Sequence, residues 1–179
     1  MPKLRCVAVL LLLIMCFAAF GAEPEILVAV EKSDDTFLVD ATIVIPVPLR
    51  TAWEVLTDFN NIMNNLTLSR IIRRKGSSVF VMQEGSAKFG IFSYSFASVR
   101  EIQLEPMKRI LAIQLTGSAK RFESEMALSE TRSGTRVRYR AEIVPDSSIA
   151  RIFGGPFVQH EVEEQFALIA AEMMRRKAQ

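Results

Sequence analysis

Apolar and polar residues alternate along much of this chain, and the places where the period changes mark its elements. Phe37, Val39, Ala41, Ile43, Ile45 and Val47 share one face of a two-residue repeat, with Asp40 and Thr42 among those opposite. That period predicts a strand over 37–47 with one buried side. A shorter strand over 25–32 precedes it, closed by the turn Ser33-Asp34-Asp35-Thr36. Pro46 and Pro48 end the second strand, because proline donates nothing to a ladder, and Pro48 suits the first turn of a helix. Ala52, Trp53, Leu56 and Phe59 then recur at helical spacing, which predicts a helix over 49–58. The asparagine-rich stretch 60–66 reads either as a second short helix or as a loop.

Residues 67–144 read as consecutive strands over 69–74, 79–87, 92–104, 109–116, 121–129 and 135–144. The turns between them carry Gly76, Gly90, Pro106, Gly117 and Gly134. Strands joined by short turns predict an antiparallel meander. In the last of them Val137, Tyr139, Ala141 and Ile143 point one way, and Arg136, Arg138, Arg140 and Glu142 the other. Its neighbour turns Phe122, Met126 and Leu128 inward and Arg121, Glu123 and Glu125 outward. Pairing of these strands would set Glu123 and Glu125 beside the arginine row as ion pairs on a solvated outer face.

The C-terminal stretch changes period again. Val158, Val162, Phe166, Ile169 and Met173 draw one apolar stripe at helical spacing, and Arg175, Arg176 and Lys177 suit the helix C-terminus. Gly154-Gly155-Pro156 marks where this long helix starts, or where it breaks if a shorter one begins near Ser147. The order is strand, helix, a run of antiparallel strands, then a helix with one greasy face. That order predicts an α+β fold in which a curved sheet wraps the terminal helix and encloses an apolar cavity.

The first residues lie outside that domain. Lys3 and Arg5 precede an apolar run from Cys6 to Phe20, and Ala19 and Gly21 supply small residues before Glu23-Pro24-Glu25. A basic start, an apolar run of about 15 residues and an Ala-x-Gly site predict a secretory signal peptide over 1–21 and a domain over 22–179. The alternative is an uncleaved anchor, for which the run is short of the ~20 residues a spanning helix needs. Either way the domain is expected outside the cytoplasm, in a periplasm or secreted. Cys6 and Cys16 both fall in the leader, which leaves the domain without disulfide, thiol nucleophile or thiolate ligand. Lys plus Arg drops from 22 to 20 when Lys3 and Arg5 go, while Asp plus Glu stays at 20. A formally neutral domain gives no reason to expect a nucleic-acid partner.

The segment Ala41-Thr42-Ile43-Val44-Ile45-Pro46-Val47-Pro48, running into Ala52-Trp53-Glu54-Val55-Leu56-Thr57-Asp58-Phe59, resembles the opening of the START-like (SRPBCC) superfamily. Phe122-Glu123-Ser124-Glu125-Met126 and Gly134-Thr135-Arg136-Val137-Arg138-Tyr139 resemble its late strands. The resemblance covers about 37–177 and includes polyketide cyclase/dehydrase and coenzyme-Q-binding members. It implies the helix-grip fold and a hydrophobic small-molecule partner, but no particular activity. Ile62-Met63-Asn64-Asn65-Leu66 departs from relatives, which often carry an aromatic-hydrophobic pair and a proline in this cavity-rimming loop.

The available chemistry is sparse. His160 falls about 160° from the stripe of the terminal helix and should face solvent. Without cysteine or an inward histidine, nucleophilic triads and histidine-based metal sites lose their parts, and neither a cofactor nor a metal is expected. Tyr94, Tyr139, Arg100 and Glu84 are the candidates for acid–base work, if they point inward. Arg100 follows Phe92, Tyr94 and Phe96 in alternation, so a bulge near 97–99 is expected to spare a cation from burial. Trp53, Phe92, Tyr94, Phe96, Phe122, Met126, Tyr139, Phe166 and Met173 fall on inner faces, as cavity lining or as core. Ile149, Ile152, Phe153, Gly154 and Gly155 lie in a hinged apolar connector. It reads as a lid, a foot on a membrane, or a plug closing the core. Three functions fit: a carrier or sensor of a hydrophobic molecule, a cyclase/dehydrase-type enzyme using the same cavity, and an interaction domain whose cavity is filled.

Overall fold

The computed structural model describes residues 23–61, 67–89, 92–146 and 154–179; the leader and the 149–153 part of the connector lie outside them. In chain order the elements are β1 (Glu25–Ser33), β2 (Thr36–Ile45), α1 (Leu49–Thr57), β3 (Thr67–Lys75), β4 (Ser78–Phe89), β5 (Phe92–Glu105), β6 (Arg109–Gly117), β7 (Ala119–Thr131), β8 (Gly134–Pro145) and α2 (Gly154–Lys177). All eight strands form one antiparallel sheet, ordered β1-β2-β8-β7-β6-β5-β4-β3. The run from β3 to β8 is the expected meander. The β1–β2 hairpin docks on β8, with Ala41 opposite Tyr139 and Ile45 opposite Thr135. This curved sheet gripping a C-terminal helix is the helix-grip fold.

The inner face follows the alternation closely. Phe37, Val39, Ala41, Ile43 and Ile45 of β2, and Val137, Tyr139 and Ala141 of β8, are buried. All of these but Phe37 meet Phe166, Ala170 and Met173 of α2 and Ala52, Val55 and Leu56 of α1 in one core. Helix α2 starts at Gly154 and presents the stripe foreseen for it. Pro48 caps α1 from an extended conformation instead of entering its first turn.

Three strands carry an extra residue. Ile72 on β3, Leu115 on β6 and Lys120 on β7 are skipped in the pairing with their neighbours. Such bulges bend the bulged strand and increase local twist, which helps the sheet curl around α2.

The turn from β2 to α1 is anchored at one corner. The hydroxyl of fully buried Thr135 donates to the Val47 carbonyl at 2.8 Å. Beside it Gly134 has φ +139°, and a Cβ there would stand 2.7 Å from Pro46 Cα. At the other end of the helix, Arg176 bridges Asp58 at 2.8 Å and Glu172 at 2.7 Å, and Lys177 donates to the Pro46 carbonyl. Hydrogen bonds from Arg175 and then Arg176 hold the Glu172 carboxyl down at about 2. The C-terminus of α2 is thereby tied to the α1 corner.

The outer face differs in one respect from expectation. The arginine row is exposed, but Asp40 of β2 takes both Arg138 (3.1 Å) and Arg140 (3.2 Å). Glu125 turns instead to Arg109 at 3.8 Å, and Glu123 lies opposite Glu142, which pairs with Arg121 at 2.8 Å. Asp40 stands directly across from Arg140 in register, on the strand next to β8, and so reaches the row from its other side. Exposed pairs of this kind contribute about 0–1 kcal/mol each.

Candidate ligand cavity

Between the N-terminal half of α2 and the middle of the sheet, the core gives way to a cavity of about 230 Å³. The sheet contributes Phe37, Phe96, Phe122, Tyr139 and Ile143, and the helix contributes Phe157, Val158 and Val162. Phe166, one turn further along α2, packs edge-on against Tyr139, with ring centroids 5.2 Å apart at 72°. It supports the cavity wall from within the core. Further along, Ala170 and Met173 are buried in the core.

The rim where β5, β6 and β7 meet is held by hydrogen bonds. The Ala97 N–H donates to Ser118 Oγ at 2.9 Å, and the Ser118 N–H returns to the Ala97 carbonyl at 2.9 Å. Gln114 Nε2 donates to the Ala119 carbonyl at 2.7 Å. Ala97, Ser98, Gln114, Ser118 and Ala119 all belong to the cavity wall.

Alongside its apolar side chains the wall carries polar ones from both the sheet and α2. Arg100 lies inside, its guanidinium 3.9 Å from the centre of the Phe122 ring. Its Nε is shielded from solvent and has no hydrogen-bond partner among the described residues, and neither has Ser98 Oγ. Burial lowers the pKa of Arg100, with the Tyr139 hydroxyl acting the other way. The Tyr139 phenol is pushed up by burial, against the opposing effects of Arg100 and of a hydrogen bond with Ser124. It is therefore a neutral proton donor at physiological pH. Across the cavity, Glu161 stands on α2. Its carboxyl is raised chiefly by burial and then by Glu164, while His160 acts in the opposite direction.

A carboxyl whose folded-state pKa is raised stabilises the fold while protonated. That contribution is lost as pH rises from its unfolded value through its folded one. Glu161→Gln is therefore expected to leave the melting temperature unchanged below about pH 4 and to raise it near pH 7.5. Thermal melts of both proteins across that range check the sign.

The structure gathers some of the residues read from the sequence and separates others. Phe96, Phe122 and Tyr139 line the cavity. Phe166 and Met173 are buried in the core beyond it, and Trp53 and Met126 pack half-buried against that core. Phe92 and Tyr94 lie on β5, with side chains outside the described set. Gly154 and Gly155 open α2, while Ile149, Ile152 and Phe153 fall outside the described residues. Of the four acid–base candidates, Arg100 and Tyr139 converge in the cavity and Glu84 is exposed on β4. His160 is exposed.

Two features were not read from the sequence. Glu161 lies three residues after Val158, on the flank of the apolar stripe; that spacing was its available signal. The bulge expected on β5 lies instead on β6, at Leu115. β5 keeps unbroken register with β4 from Phe92 to Gln103, so its alternation carries Arg100 inward. Among the described residues no cluster of three metal-ligating side chains forms.

The comparisons with known proteins agree with this geometry. The family of polyketide cyclase/dehydrase and lipid transport proteins matches residues 36–178. The chain belongs to that family. A protein from Thermus thermophilus superposes with a TM-score of 0.64 at 13% identity, over 79% of this chain and 98% of that one. A STAR-related lipid transfer protein from Xanthomonas axonopodis does so with 0.63 at 12% identity, over 87% and 95%. A Streptomyces aromatase/cyclase gives 0.61 at 15% identity, over 79% and 95%. At these identities the likeness is one of fold. No curated protein matches the chain.

Proposed function

We propose that this protein binds a hydrophobic small molecule in the cavity between the sheet and α2, as a carrier or sensor working outside the cytoplasm. The observation that carries this reading is the cavity itself, walled by Phe96, Phe122, Ile143, Phe157, Val158 and Val162 where a closed core would have filled the space. Apolar walls with a few placed polar groups are the usual make-up of a small-molecule site. At about 230 Å³ the cavity is below the ~300–1,000 Å³ of sites for drug-sized ligands. It suits a compact molecule, or the buried end of a longer lipid or isoprenoid chain. The family's lipid transport members support the reading, and the leader pattern supports export. A foot on a membrane at 149–153 would suit delivery of such a ligand.

Methyl NMR on the protein titrated with 1-octanol or octanoate tests the proposal. Saturating shifts at Ile143, Val158 and Val162 together are expected for at least one of the two. Weak, unsaturable shifts scattered over the surface with both would contradict it.

One observation favours a second reading, a cyclase/dehydrase-type enzyme. Arg100 and the neutral Tyr139 hydroxyl share the cavity, and a cation beside a proton donor can stabilise an enolate forming on a bound carbonyl compound. Turnover of a carbonyl substrate that is lost in Tyr139→Phe, with binding intact, would move the protein to this class.

A further inference from the structure

The wall of the cavity is unevenly polar. The sheet side offers donors: the Arg100 guanidinium, Ser98 Oγ and the Tyr139 hydroxyl. Arg100 Nε and Ser98 Oγ are both shielded from solvent and unpartnered among the described residues. Among the described residues no carboxylate comes within ion-pairing distance of Arg100; Glu161 belongs to the facing helix.

Arg100 as a whole is half-buried, but its Nε is shielded from solvent, and a shielded cation with no ion-pair partner is costly, because its desolvation is not repaid. The Phe122 ring under the guanidinium offsets part of that cost, since an aromatic face attracts a cation. A fold that needed only an apolar interior would be better served by leucine or methionine at this position.

We infer that Arg100 is the anchor for an acidic head group, and that the ligand is a hydrophobic carboxylic acid held head-inward on Arg100 and Ser98 with its apolar body along Phe96, Phe122, Val158 and Val162. This rests on the small-molecule reading above and narrows its ligand class. A carboxylate matches the guanidinium fork in charge and geometry, and Ser98 Oγ supplies a further donor. Among the described wall residues Arg100 is the one cation. Glu161 on the facing helix adds negative charge to the wall, so a head of charge −1, held on the sheet side by Arg100, is met more fully than a phosphate monoester near −2.

Octanoate and 1-octanol share a chain length and differ in the head, so isothermal titration of the purified full chain with each isolates the head group. Wild-type protein is expected to bind octanoate at least ~10-fold more tightly than octanol, the scale of one charge-assisted hydrogen-bonded contact. Arg100→Met is expected to erase that preference while still taking up octanol, with circular dichroism confirming its fold. Equal or tighter binding of octanol by wild-type protein would overturn the inference and leave the hydrophobic-ligand reading standing. Saturation by neither compound would remove both. If Arg100→Met fails to fold, Arg100→Gln takes its place, and the wild-type comparison decides on its own.

Discussion

Gly134→Ala is expected to lower the stability of the fold by about 3 kcal/mol or more, a large effect for one methyl group. The glycine opens β8 at φ +139°, in a region that residues with a side chain rarely adopt. Space adds a second penalty. A Cβ at this position would press into the Ile45 carbonyl oxygen and stand 2.7 Å from Pro46 Cα and 2.9 Å from the Val47 nitrogen. All three are backbone atoms, so no side-chain rotation relieves the contact. The backbone that would have to move leads into α1, whose Ala52, Val55 and Leu56 fill one end of the core. Urea denaturation of Gly134→Ala beside Ser133→Ala measures the effect. A loss confined to Gly134→Ala is expected; equal small losses in both would show that the corner yields cheaply.

Val162→Trp is expected to have the largest effect on function. Val162 stands on α2, half-buried, in the cavity wall. A tryptophan there would occupy void and displace the ligand's body instead of crowding a packed core. Affinity for the preferred C8 ligand should fall about 100-fold, or ~2.7 kcal/mol. Stability should change by less than about 1 kcal/mol, because the ring fills empty space. Leu168→Trp is the control, since Leu168 is 45% exposed on the same helix. It should leave affinity unchanged. Equal losses in both variants would mean that α2 is sensitive to bulk as such and that the cavity is not the binding site.

Much of the fold was legible because local periodicity carries it. The faces of β2, β8 and α2 follow from single-strand and single-helix patterns, which the core honours at Val39, Val137 and Phe166. Docking of the β1–β2 hairpin on β8 was less accessible, since that pairing joins strands about a hundred residues apart. Gly134 read as an ordinary turn residue, because its close approach to Pro46 exists only after β2 and β8 have paired.

The site was legible by face but not by position. Phe122 and Met126 point the same way along β7, yet Phe122 meets the void and Met126 the core, according to where α2 crosses the sheet. Alternation along β5 did point Arg100 inward. The cost of shielding a cation predicts a bulge on β5, whereas the extra residue is Leu115 on β6. A local rule broken in this way is most often broken at a functional site.

The cavity is expected to carry a hydrophobic molecule. Native mass spectrometry of the protein purified from its own compartment, followed by organic extraction, tests it most directly. A stoichiometric adduct that extracts as a hydrophobic compound is the expected result. A protein that arrives empty, and stays empty when offered fatty acids, quinones and phospholipids, would contradict it.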